Sequence, residues 1–217
     1  MLIDHAAVIF LTDHVSGSAL IYGIYFAMRL LGRMAFPLYA FLLTEGFSHT
    51  RNRKKYAGRL FLLAVISEIP FNLMADRSYL SFSHQNTVWL LLLGFLCLMA
   101  HEQLKKAEGT KLIEAAVLLA AVMASVFLRL DYGAEGLLLI LVFSLFRGRP
   151  DLRTPAVLVV LFFMNPDPYI FGTMFAYFMI NHYNGEKGRD LGRLPHFFYP
   201  VHIVVLLAAK TLAGYFL

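Results

Sequence analysis

The residues of this chain that could carry out chemistry are ionisable side chains inside or beside apolar segments. Asp4 and His5 open the first apolar segment, Arg33 directly precedes the third, Glu45 lies in the third, and His202 comes early in the last. A histidine exchanges a proton near neutral pH, so His5 suits a general base. A guanidinium stays charged in any environment, so Arg33 suits the binding of a carbonyl, a phosphate or a carboxylate. The pattern indicates a site where a base and a fixed cation act on a bound group.

For each of these residues a purely structural role is the alternative to a catalytic or binding role. Adjacent side chains on a helix point about 100° apart, so Asp4 need not touch His5 and could bind the cation of another residue. Glu45 and His49 share one helix face at a spacing of four residues, but two ligands are a weak metal signal and no metal site is predicted. Asn86 is either a hydrogen-bonding site residue or the cap of the helix that follows it.

The composition indicates that these residues belong to a membrane protein. Of the 217 residues, 59% are hydrophobic and 15% are charged, and Phe alone contributes 20. A soluble domain has a lower apolar and a higher charged fraction, and it could not bury so many large apolar side chains in one core. The single cysteine, Cys97, excludes a disulfide scaffold. A charge at the centre of a membrane helix costs roughly 2.5–3.5 kcal/mol, so we expect the ionisable set as a whole to have a function.

Ten apolar segments, separated by polar or proline-containing breaks, predict the helices that position these residues. They cover residues 2–12, 18–31, 34–49, 57–75, 87–101, 112–129, 133–146, 155–164, 169–182 and 197–216. Several are shorter than the roughly 20 residues that a straight span needs. The prolines of Asn165-Pro166-Asp167-Pro168 forbid one continuous helix there. We predict a single all-α domain over residues 1–217, a polytopic bundle of about nine (eight to ten) transmembrane helices, some of them short or half-spanning.

The basic residues predict how this bundle is oriented. Most of the 19 Lys and Arg lie in four connections, residues 51–59, 102–111, 147–153 and 183–196. By the positive-inside rule these loops face the cytoplasm, with the amino terminus inside. Segment 18–31 is then expected to be an interfacial or re-entrant helix on the outer side. The same topology separates the ionisable residues into a cytoplasmic set, Asp4, His5, Glu45, His49 and His202, and an outer set, Arg33, Glu68, His84 and Asp131.

Several motifs resemble those of a known family. They are Met1-Leu2-Ile3-Asp4-His5, the stretch from Leu31 to Phe41 (LGRMAFPLYAF), Glu45-Gly46-Phe47-Ser48-His49 running on to Tyr56, Ile66-Ser67-Glu68-Ile69-Pro70-Phe71-Asn72-Leu73, Asp131-Tyr132-Gly133 and Tyr199-Pro200-Val201-His202. The chain resembles the TraX family of bacterial membrane proteins over nearly its whole length. The family's named member is implicated in acetylating the amino terminus of conjugative pilin. The family is grouped with transmembrane acyltransferases that use cytoplasmic acetyl-CoA.

The resemblance implies an acyltransferase in the bacterial cytoplasmic (inner) membrane, with acetyl-CoA as co-substrate. The acceptor it implies is a pilin amine or an envelope glycan hydroxyl. We expect His5 to be the base, Asp4 to orient it or stabilise its charge, and Arg33 to stabilise the oxyanion. Further site residues are expected at Asn86, Glu45 and His202. The phosphates of CoA are expected to bind the basic loop residues Arg51, Arg53, Lys54 and Lys55.

Two other classes of function remain open on the sequence. A secondary transporter or proton-coupled channel would also use membrane-buried Glu, His and Arg, proline-broken helices and half-spans. A non-catalytic assembly factor for a pilus or envelope complex would tolerate the loss of His5. The positive charges are explained by topology, so a lipid bilayer is expected as partner and a nucleic acid is not.

Overall fold

The computed structural model of the chain describes residues 1–107, 110–165, 167–186, 188 and 194–216. Over these ranges the regular structure is helical, with one isolated bridge between Gln85 and Leu130. The helices are α1 Leu2–Leu11, α2 Ala19–Arg33, α3 Ala35–His49, α4 Arg53–Ala75, α5 Thr87–Leu104, α6 Lys111–Phe127, α7 Gly133–Leu145, α8 Pro150–Met164, α9 Ile170–Asn181 and α10 Leu194–Phe216. A short 3-10 helix, Thr12–Gly17, connects α1 to α2.

The ten predicted helical segments and the all-α class are confirmed in the described residues. Helix α8 starts earlier than expected, at Pro150, because a proline lacks the N–H that the first helical turn leaves unbonded. The predicted break is present, since α8 ends at Met164 and α9 begins at Ile170. Pro166 of the predicted break lies outside the described ranges, as do the basic residues of the connection 183–196, namely Lys187, Arg189 and Arg193.

Helix α2 continues into α3, whereas the sequence predicts a separate interfacial or re-entrant helix over residues 18–31. Only Met34 stands between them, and together they form one helical stretch of 31 residues, Ala19–His49. A Cβ at Gly32 would overlap Asp4 of α1, and a Cβ at Gly172 of α9 would overlap the backbone of α2. These close approaches hold the last turn of α2 between α1 and α9, within the bundle.

The core lies where α3, α5 and α7 meet, and the outer surface of the bundle stays apolar. Phe36, Phe95 and Ile140 are at most 1% exposed. Outward-facing side chains such as Leu20 and Phe127 are 73% and 86% exposed. Within the described ranges, four helical stretches are long and apolar enough to cross a membrane, and two further helices are apolar but shorter. An apolar exterior on helices that satisfy their own backbone hydrogen bonds is the arrangement of a membrane-spanning helical bundle.

Ion pairs tie helix ends together at both ends of α4. At its start, Arg53 pairs with Glu102 near the end of α5. Beyond its other end, Arg77 donates to Asp13 at 2.9 Å, and Lys210 of α10 donates to the same carboxylate at 3.2 Å. The hydrogen bond from Lys210 and the charge of Arg77 hold the pKa of the Asp13 carboxyl below its ordinary value. This three-residue cluster, the Asp13 cluster, fixes α1, α4 and α10 relative to one another.

Candidate active site

A cavity of about 140 Å³ lies between α1, α2, α4, α5 and the turn before α7. Its polar lining is Asp4, His5, Arg29, Arg33, Thr87, Asp131 and Tyr132. Apolar side chains from α1, α3 and α4 line the rest. Pockets for whole small molecules measure roughly 300–1,000 Å³, so this central cavity can take a small group such as an acetyl, but not an entire carrier.

His5 lines the central cavity, and His202 of α10 packs against it. His5 Nδ1 is 2.7 Å from His202 Nε2, the ring centroids are 4.9 Å apart and the ring planes differ by 7°. The centroid separation is close to the nitrogen–nitrogen distance plus the two ring radii. The rings therefore lie edge to edge and share an in-plane hydrogen bond. His5 is 9% exposed and His202 4% exposed, so this bond is shielded from water.

The direction of that hydrogen bond follows from the other nitrogen of His202. His202 Nδ1 is 2.6 Å from the carbonyl oxygen of Phe198, and a carbonyl oxygen can only accept. The network therefore assigns the proton of neutral His202 to Nδ1 and makes its Nε2 an acceptor. His5 must then donate from Nδ1, which leaves a lone pair on its Nε2. The pair thus holds His5 in the tautomer of a base with one free nitrogen.

Asp4 binds a cation of α2 and not His5. Arg29 Nη1 donates to Asp4 Oδ1 at 2.8 Å, and the two side chains are 16% and 15% exposed. The pairing depends on Gly32, because any larger residue there would collide with the Asp4 side chain. The structure therefore assigns the orientation of His5 to His202, and Asp4 holds the cation of another residue.

Arg33 is the second cation of the cavity. Its buried Nε has no hydrogen-bond partner among the described residues, and its guanidinium carbon lies 5.7 Å from the centroid of the Tyr169 ring. The described part of the chain contains no carboxylate within ion-pairing distance of Arg33. Since Arg29 is already bound to Asp4, the buried Nε of Arg33 is a donor that remains for an incoming oxygen atom.

The turn before α7 closes the cavity. Asp131 accepts a hydrogen bond from Thr87 of α5 at 2.5 Å. Tyr132 has a left-handed backbone, with φ of 65°, and its ring stacks on Phe36 at a centroid distance of 4.0 Å. A bulky residue in that region is strained and persists only where its surroundings enforce it, and such strain is common at functional sites.

The expected separation of the ionisable residues into two levels is wrong. Asp4 and His5 belong to the cytoplasmic set and Arg33 and Asp131 to the outer set, yet all four line one cavity. The reason is that α2 runs back along α1, which brings its last turn beside the first turn of α1. The structure also brings His202 to this site, through His5.

Asn86 does not line the central cavity. Its Oδ1 accepts from the N–H of Val88 at 3.0 Å, which caps α5. Its Nδ2 donates to the carbonyl of Ala64 at 2.9 Å and to the carboxylate of Glu68. Trp89 Nε1 also donates to Glu68, at 2.9 Å. Asn86 therefore caps α5, as the capping alternative predicts, and it also joins α4 to α5.

Glu45 and Arg53 also lie away from the cavity and are bound to other residues. Glu45 accepts from Arg147 at 3.0 Å, which ties the end of α3 to the connection before α8. Arg53 pairs with Glu102, and its guanidinium carbon lies 4.3 Å from the centroid of the Phe47 ring. The structure does not bring either residue to the site with His5.

A second hollow, the basic groove, lies between α4 and the start of α10 and measures about 390 Å³. Lys55 and Arg59, four residues apart on one face of α4, line it together with apolar side chains. Leu60 and Leu63 of the groove pack in the same apolar cluster as Met1, which lines the central cavity. Of the four residues predicted to bind phosphate, Lys55 lines the groove, and Arg51, Arg53 and Lys54 do not. Arg59 was not among those predicted.

The sequence predictions missed several residues of the cavity. Arg29 and Arg33 are four residues apart on one helix face, a signal that could have placed both at the site. Thr87 and Tyr132 carry no comparable signal, because no local spacing connects either of them to His5.

Comparisons with known proteins confirm the family resemblance that the sequence motifs indicate. The sequence model of the TraX protein family matches residues 1–210. A probable fimbrial assembly protein, FimC of serogroup H1 from Dichelobacter nodosus, is 30% identical over 234 residues, which cover 97% of this chain and 91% of that protein. No solved structure matches the chain. Because the family match extends over almost its entire length, the chain belongs to the TraX family.

Proposed function

We propose that this chain is an integral-membrane acyltransferase that moves an acetyl group from acetyl-CoA to the amino terminus of a pilin-like protein or to an envelope glycan hydroxyl. The central cavity carries this proposal, because it combines a base of fixed tautomer with a guanidinium whose buried Nε has no hydrogen-bond partner among the described residues. Membership of the TraX family and the fimbrial relative support a pilin-related acceptor.

The basic loops indicate the orientation within the proposal. Residues 51–59, 102–111 and 147–153 would face the cytoplasm of the bacterial inner membrane. The donor would then approach from the side of the basic groove, and the acceptor from the side of the Asp13 cluster.

In the proposed reaction, His5 Nε2 takes the proton of the attacking amine or hydroxyl as the new bond to the thioester carbon forms. The positive charge on His5 is shared with His202 through their hydrogen bond, and the Phe198 carbonyl holds the outer proton of the pair. Arg33 stabilises the oxyanion. When the carbon–sulfur bond breaks, His5 returns the proton to the departing thiolate.

Acetyl-CoA would bind with its phosphates at Lys55 and Arg59 and its flexible arm in the basic groove. The groove is larger and more apolar than the cavity, and its lining adjoins the apolar cluster that contains Met1. Arg53 is excluded from this role because Glu102 already neutralises it.

Binding and transfer measured on the same purified protein test the proposal. His5→Ala should lower radiolabelled acetyl transfer from acetyl-CoA to an amino-terminal pilin peptide by roughly 10²–10⁴-fold and leave CoA binding intact. Lys55→Ala should weaken CoA binding by about fivefold, the equivalent of ~1 kcal/mol for an exposed charge pair. Lys54→Ala is the matched control, because the neighbouring lysine does not line the groove. Failure of the wild type to bind acetyl-CoA would overturn the proposal.

Two further outcomes identify the alternative classes. Substrate flux in proteoliposomes without acetyl transfer, abolished by replacing Glu45 or Glu68, would indicate a transporter. Full biological function of a folded His5→Ala variant would indicate a non-catalytic assembly factor.

A further inference from the structure

Helix α4 and its C-cap residue Asp76 carry a polar stripe that the proposed reaction does not use. Glu68, Asn72 and Asp76 follow one another at intervals of four residues, so they lie on one side of the helix axis. At a rise of 1.5 Å per residue, the stripe extends over about 12 Å. On another face of the same helix, the side chain of Ile69 is 51% exposed.

The polar atoms of this α4 stripe are buried and largely unpartnered. Asn72 is 1% exposed, and neither its amide oxygen nor its amide nitrogen has a hydrogen-bond partner among the described residues. Glu68 Oε1 and Asp76 Oδ2 are also buried atoms without a hydrogen-bond partner among the described residues. Each unsatisfied buried group costs roughly 1–3 kcal/mol. Four such atoms on one side of the helix therefore need hydrogen-bond partners that the described residues do not supply.

We propose that the α4 stripe lines a narrow hydrated path, which leads from Asp76 to Glu68 and conducts protons. Buried waters make two to four hydrogen bonds to groups of this kind, so a single file of water would satisfy all four atoms. A metal ion fits less well, since the two carboxylates lie two helical turns apart. In addition, no three His, Cys, Asp or Glu residues of the described chain are grouped to hold one.

The inner end of the path lies next to the central cavity. Asn86, which binds Glu68, precedes Thr87, and Thr87 lines the cavity. Phe71 and Met74, on the adjacent face of α4, line it as well. The path and the cavity are therefore on neighbouring faces of the same two helices.

A role for the path rests on the proposed function. An acceptor that arrives as an ammonium ion loses two protons when its nitrogen bonds to the acyl carbon. One proton goes to the thiolate released from the carbon–sulfur bond, and the second must leave the protein. The α4 stripe gives that second proton a route to the end of the bundle opposite the loop at residues 51–59.

The reaction of Ag⁺ with single cysteines in lipid nanodiscs tests the path without any need for activity. The background is Cys97→Ala, because Cys97 is the single native cysteine. Asn72→Cys should react roughly tenfold or more faster than the lipid-facing control Ile69→Cys, since the reacting thiolate forms only where water is present. The reaction is run in chloride-free buffer and measured as the loss of maleimide labelling after unfolding.

The result that overturns the path is a folded Asn72→Cys protein as unreactive as Ile69→Cys. If Asn72→Cys does not fold, Glu68→Cys takes its place with the same two outcomes. Proton conduction is tested separately with Asn72→Leu, which should lower kcat for an amine acceptor and leave CoA binding unchanged. Unreactive cysteines in a protein that transfers acetyl groups would refute the path alone, and reactive cysteines in a protein without transferase activity would refute the proposed function alone.

Discussion

Replacing His202 by Leu or by Gln tests whether the histidine pair sets the tautomer of His5. Leucine removes the acceptor that receives the His5 Nδ1 proton, whereas the side-chain carbonyl of glutamine can accept near the position of His202 Nε2. Both substitutions remove the second imidazole, and they differ in the presence of this acceptor.

The size of the effect follows from the burial of the pair. With His5 9% exposed, its Nδ1–H finds no ready replacement for the lost acceptor, and an unsatisfied buried donor costs roughly 1–3 kcal/mol. If that energy appears in the transition state, kcat falls by roughly 5- to 150-fold for His202→Leu. His202→Gln should retain most of the activity, because the hydrogen bond that orients His5 is kept.

The assay is radiolabelled acetyl transfer to an amino-terminal pilin peptide, with kcat and KM determined separately for each variant. CoA binding and thermal unfolding serve as controls, since a positioning role changes kcat while the fold and the donor site persist. Equal activity of the Leu variant, the Gln variant and the wild type would refute the tautomer argument. Equal and complete loss in both would show that the second imidazole itself is required.

Three further predictions concern packing and charge. Gly32→Ala should destabilise the protein by about 1–3 kcal/mol in thermal unfolding, because the new methyl collides with Asp4, whereas Gly23→Ala in the same helix meets no neighbour and should not. Glu45→Gln should leave acetyl transfer unchanged, as it breaks one partly exposed ion pair away from the cavity; a loss of transfer in a folded variant would contradict this placement. Asp13→Asn should lower the melting temperature at neutral pH. The lowered pKa of Asp13 means that its stabilising effect is present above the ordinary Asp pKa and lost as pH falls through the folded value, so the difference from wild type should vanish in acid.

The helices and the membrane class could be predicted from the sequence because they depend on local properties. Apolar runs, prolines and turn residues set where α1 to α10 begin and end, to within a few residues. The composition requires that the outer surface of the bundle remain apolar. His5, Arg33 and His202 could be selected because an ionisable side chain in an apolar helix is costly wherever the helix packs.

The partners of those side chains could not be predicted, because they come from positions far apart in the chain. His5 meets His202 across a separation of 197 residues, and the position of Asp4 beside Arg29 follows from how α2 packs against α1. A spacing rule describes one helix face and carries no information about which other helix lies opposite. The sequence by itself determined a membrane bundle with buried proton-exchanging groups. Only the tertiary structure decided that Asp4 neutralises Arg29, that His202 hydrogen-bonds to His5 and that the Nε of Arg33 has no partner among the described residues, because these features depend on how the helices pack.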